Sequence, residues 1–241
     1  PTTATYIFYG IGLLFLFTFG LVNVGTAYIL RNMVMGEPVF VWTDFWYAVK
    51  RNIKQALPFG IADAAVCTLL VYNIYSMFSK LAGATDILPG LMFWGNLLFF
   101  VLYFCMRFYI YVQMVTFDLK ITKIIKNALI FALLGVKRNS LALLGILLAV
   151  LLELVFIFGL GGFLVPFAVA APLTILFSTF AFMKVYASYF KIKELMIDPY
   201  MAEHPTEPAP AGEAVMKDDV TERERLDAVK KKNGIPTDSD L

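Results

Sequence analysis

Four ionisable residues, Asp63, Arg107, Glu153 and Lys184, interrupt long stretches that otherwise carry almost no charge. Set in hydrocarbon, such a group costs about 2.5–3.5 kcal/mol even on lenient insertion scales, so each is expected to face protein, water or the headgroup layer. Counting ~1.5 Å per helical residue puts Arg107 and Glu153 about 16 and 20 Å from the boundaries at Asp118 and Ser140. By the same count Asp63 and Lys184 lie about 9 Å from theirs. Matching depths predict two ion pairs, Arg107 with Glu153 near the midplane and Asp63 with Lys184 nearer the cytoplasm. For the shallower pair the competing reading is snorkelling to the headgroups. For the deeper pair it is a transport or ligand role, because intramembrane charge marks ion and substrate paths.

Other polar residues in these stretches point to packing more than to chemistry. The amides Asn23, Asn73, Asn96 and Gln113 suit hydrogen bonds between helices. Tyr72, Tyr75, Tyr103, Tyr109 and Tyr111 have the amphipathic rings of interface anchors and core packing, with a polar cavity as the alternative. Cys67 and Cys105 both lie in apolar sequence, where a small buried hydrophobe is the reading and a disulfide is not expected. The single histidine, His204, stands apart in the tail. No His/Cys cluster suits zinc, and no phosphate loop, HExxH or GxSxG pattern occurs. Neither catalysis nor a cofactor or metal is expected.

The elements that must position these residues are long and apolar. The first uncharged stretch runs from Thr5 to Leu30, enough to cross a hydrocarbon core of ~30 Å. Further spans are predicted over Leu57–Phe78, Leu91–Phe117, Ser140–Phe158 and Phe163–Phe190, the last two joined as a hairpin by a glycine-rich turn. The fold class is therefore all-α, a polytopic transmembrane bundle of about five spans occupying residues 1–197.

Two segments have amphipathic spacing instead. Between Arg31 and Ala56, Trp42, Phe45 and Trp46 recur on one side and Lys50, Arg51 and Lys54 on another, which predicts a helix lying in the interface. Between Asp118 and Asn139, Lys120, Lys123 and Lys126 share one face opposite Ile121, Ile124 and Ile125, a second interfacial helix. Alternation through five spans collects nearly all the body's cations on one side and leaves Lys80 on the other. The positive-inside rule makes the cationic side cytoplasmic. The chain is thus expected in the cell membrane, multi-pass, with its carboxyl terminus inside. An outside amino terminus that opens at Pro1 also predicts a missing upstream segment, such as another spanning helix.

Composition agrees, with 60% hydrophobic and 16% charged residues in 241. Residues 1–197 carry 14 Lys and Arg against 7 Asp and Glu, whereas 198–241 carry 6 against 11. Cationic loops beside anionic lipid account for the basic body, and nucleic acid is not an expected partner. The acidic tail, rich in Pro, Ala and Glu, cannot bury enough apolar surface to offset ordering and is expected to be disordered.

The stretch GTAYILRNMVMGEPVFVWTDFWYAVKRNIKQ, residues 25–55, resembles the start of the YesL-like family of bacterial integral membrane proteins, a domain of unassigned function. MVTFDLKITKIIKNALIFALLGVKRN, residues 114–139, looks like that family's second recurring block. The resemblance covers most of residues 25–195. It departs near the amino terminus, where the family has a spanning helix and a proline turn just before the first block. The family's frequent place beside sugar importers and polysaccharide-degrading enzymes implies an accessory role in carbohydrate uptake, with the permease subunits of an ABC importer as partners. It supplies no catalytic or binding residue to carry over.

Overall fold

The computed structural model describes residues 3–81, 86–159, 166, 169–170 and 175–203, and the described residues fold entirely as helices and short turns. Four of the helices are long and apolar enough to cross a membrane: α1 (Thr3–Met35), α2 (Val41–Leu81), α3 (Ile87–Thr116) and α5 (Val136–Phe158). The shorter α4 (Ile121–Leu134) precedes α5. After α5 come α6 (Phe177–Ile192), a π-helical turn (Lys193–Ile197) and α7 (Asp198–Glu203).

Helix α1 stops where Gly36 takes a left-handed backbone, φ +76°, which glycine adopts without steric cost. Its N–H reaches the Met33 carbonyl at 3.1 Å and that of Glu37 reaches Asn32 at 3.0 Å, the double closure of a Schellman end. The chain then reverses into α2, which packs antiparallel on α1 at two glycines. A Cβ on Gly20 would strike the Ala56 carbonyl and Gly60 backbone, and one on Gly25 would enter the Phe45 ring. Small residues let backbones approach where hydrophobic exclusion from water is absent.

The sequence divides residues 31–78 into an interfacial helix and a span, and the structure joins them differently. Arg31–Met35 end α1, and α2 continues through Pro58 as a single helix of 41 residues. At ~1.5 Å per residue it is about 60 Å long, twice the ~30 Å core. Pro58 removes one N–H of the ladder without ending the helix, and the close Gly20–Gly60 contact lies beside it.

The core centres on the last turns of α3, where every residue from Phe108 to Phe117 is buried. Against it lie Val24, Ala27 and Tyr28 of α1, Ile124, Ala128 and Phe131 of α4, and Val185, Tyr189 and Ile192 of α6. The remaining apolar side chains mostly face outward, as in Leu141, Leu144, Leu148 and Leu152 along α5. Such a surface suits hydrocarbon and not water.

Helix α4 buries Ile124 and Ala128 and leaves Lys123 and Lys126 exposed. The predicted fifth span falls partly outside the described residues; its remainder is α6. The predicted tail begins at Asp198, but helix runs on from the π-helical turn past Pro199 to Glu203. Residues 204–241, and with them most of the disorder expectation, lie outside the described part.

Candidate functional site: a buried carboxylate between three helices

Asp63 on α2 is completely buried, at 0% exposure, and is the centre of a polar cluster. Arg107 Nε on α3 bridges its two oxygens, 2.8 Å from Oδ1 and 3.0 Å from Oδ2. The Tyr103 hydroxyl donates to Oδ1 at 2.8 Å and the Tyr111 hydroxyl to Oδ2 at 2.5 Å. Cys67, one turn further along α2, contributes a weak S–H donor at 3.6 Å. From α1 the Phe19 ring lies 5.3 Å from the guanidinium carbon of Arg107, within cation–π range.

The helix pattern explains the convergence. Tyr103, Arg107 and Tyr111 repeat every four residues, so they line one face of α3. The antiparallel register of α2 on α3 is fixed at the cationic end, where Arg51 Nη2 donates to the Val115 carbonyl at 2.5 Å and Gln55 Nε2 to the Leu119 carbonyl at 3.1 Å. Two turns on, that register brings Asp63 level with the Arg107 stretch. The cluster is a paired, hydrogen-bonded charge, the form in which burial is tolerated.

A cavity of about 50 Å³ opens beside the pair, between α1, α3 and α6. Asn23, Thr26, Arg107, Tyr111 and Lys184 line it with apolar neighbours. About 10–15 Å³ of such space holds one water, so this cavity takes a few waters or a small ion. Lys184 faces Arg107 across it without a hydrogen bond or ion pair among the described residues. Two cations therefore border a space beside which Asp63 is the carboxylate paired with Arg107 among the described residues.

The predicted pairing is corrected by this geometry. Arg107 joins Asp63 and not Glu153, and Lys184 stands across the cavity instead of on Asp63. Matching depths residue by residue ignored reach: a five-residue offset is about 7 Å, which a guanidinium stem spans. Glu153 is buried at 9% exposure, with Oε1 unpartnered among the described residues. The amides differ too. Asn23 and Asn96 donate back to the Phe19 and Met92 carbonyls of their own helices, and Gln113, fully buried, has neither amide atom bonded.

The interfacial candidates divide. Trp42, at 75% exposure, with Trp46, Lys50, Lys54, Lys120, Lys123 and Lys126, faces outward. Phe45 instead packs on Gly25, and Arg51 turns inward to the end of α3. There it meets Arg31, which the sequence places at the start of the interfacial segment and which is 3% exposed and donates to the same Val115 carbonyl at 3.0 Å. Two guanidiniums thus cap the negative end of α3, stacked on Tyr28 at 4.9 and 5.7 Å. A second polar junction was also missed: the Tyr109 hydroxyl donates to Asn139 Oδ1 at 2.8 Å, and Asn139 Nδ2 to the Ala132 carbonyl at 3.0 Å. Gly135, against the Tyr109 hydroxyl, allows that close turn from α4 to α5.

Comparison with protein families, with curated proteins and with solved structures finds no match.

Proposed function

We propose that this multi-pass protein is a non-enzymatic accessory subunit of the cell membrane, docking on the permease subunits of a carbohydrate ABC importer. The observation that carries the accessory reading is the saturation of Asp63 from within. Its oxygens are taken by Arg107, Tyr103 and Tyr111, so the intramembrane charge is spent on fastening α2 to α3. The outward apolar side of α5 and the exposed Trp42 end of α2 remain open to neighbours in the bilayer and at its surface. The carbohydrate link rests on the resemblance of residues 25–55 and 114–139 to the YesL-like family. Cross-linking in native membranes from Trp42, Trp46 or Lys54 is expected to capture importer permease subunits. A chain that stays monomeric in native nanodiscs and captures none of them would end this reading.

The second reading, a small-molecule transporter or channel, is favoured by one observation, the unpaired Lys184 beside Arg107 at the cavity. Proteoliposome flux that disappears in Lys184→Met would establish it, and unchanged leakage in both proteins would remove it.

A further inference from the structure

The α5–α6 pair has a second, larger hollow, unconnected with Asp63. It has a volume of about 640 Å³, and its apolar wall runs along Leu141, Gly145, Phe182, Met183 and Tyr186. The volume falls within the ~300–1,000 Å³ of small-molecule sites. Gly145 keeps the floor open, since an added Cβ would lie 3.3 Å from the Met183 sulfur. The rings of Phe182, Tyr186 and Phe190 follow one another along one wall, with centroids 6.0 and 4.8 Å apart.

At one end, Arg138 and Leu141 also border an adjoining hollow of about 370 Å³, whose charged lining is completed by Lys137, Lys191 and Glu194. Glu194 bonds Lys191 at 2.9 Å and Arg138 at 3.3 Å, which leaves three cations against one carboxylate. Lys137 is exposed and has no ion-pair or hydrogen-bond partner among the described residues. A hydrocarbon-lined trough ending in uncompensated positive charge has the polarity of one molecule class. We propose that this groove binds an anionic phospholipid, its acyl chains along Gly145 and Phe182 and its phosphate at Lys137, Arg138 and Lys191.

A helix of a partner subunit is the competing occupant. It is about 10–12 Å across and apolar along its length, and it would leave the cationic end without a counter-charge. A lipid satisfies both ends, because Arg and Lys recognise phosphate and basic pockets between helices recognise headgroups.

The full chain, purified in detergent and exposed to equal amounts of phosphatidylglycerol and phosphatidylcholine, should retain phosphatidylglycerol in native mass spectra. Lys137→Gln with Lys191→Gln should lower that retention about tenfold, equivalent to ~1.4 kcal/mol, with the melting temperature nearly unchanged. Gly145→Leu, which fills the trough and leaves the charges, should lower it comparably. Equal retention of the two lipids, or indifference to both variants, overturns the proposal. Competition by glycerol phosphate as strong as by the lipid itself would also overturn it, by making the site one for free phosphate.

Discussion

The α1–α3 region and the α5–α6 arm are both built from largely apolar sequence and are held together differently. In the first, helices are fastened by polar groups in fixed geometry: Asp63 to Arg107, Arg31 and Arg51 to the end of α3, Gly20 against Gly60. In the second, α5 meets its neighbours at the Asn139 junction and along Ala142 and Gly145, and most of its side chains face outward. Where lipid is as apolar as the protein, apolar surface alone gives helices little reason to prefer one another. The polar contacts supply that preference in α1–α3, and their scarcity leaves the arm with an open groove.

If that contrast is correct, the largest loss should follow Asp63→Ala, which strands a buried guanidinium. About 3–5 kcal/mol is expected, seen as a lower melting temperature in detergent. The double variant Asp63→Leu with Arg107→Met should recover much of it, since removing both charges ends the desolvation penalty. Gly60→Leu comes next, at about 1–3 kcal/mol from overpacking against Gly20, with helix content retained in circular dichroism. Gln113→Met should move stability the other way, by up to ~1–3 kcal/mol upward, because it removes a buried amide with no partner. On the arm, Leu144→Ala and Leu148→Ala should change the melting temperature least, within about 0.5 kcal/mol. A loss there as large as that at Asp63 would erase the distinction between the regions.

A smaller effect concerns pH. The Lys191 hydrogen bond holds the exposed Glu194 carboxyl below its ordinary 4.5. The pair therefore adds its stability above that value and loses it as pH falls through the lowered one. An NMR titration of Glu194 should read a depressed value that returns to normal in Lys191→Met.

Much of the fold was legible in the sequence. Long apolar runs with at most one charge marked α1, α3 and α5, and the spacing of Ile124 and Lys126 pointed to the helix that is α4. The unbroken passage of α2 through Pro58 was not legible, since periodicity changes there and a proline ordinarily closes a helix; the close contact beside it involves glycines 40 positions apart. At the site, the charged residues were found and their partners were not. Pairing depends on the register between helices, which Arg51 and Gln55 set through backbone carbonyls that leave no mark in residue types. The four-residue repeat of Tyr103, Arg107 and Tyr111 was the available signal, one face of one helix converging on a single acid.

The length of α2 carries a mechanical consequence. It is held to α1 and α3 over the stretch from Phe45 to Asp63, and about 27 Å of helix continues beyond that to Leu81. A pull on the tryptophan end is therefore met within one turn, at Phe45, and travels to the far end only if the whole clasp slides.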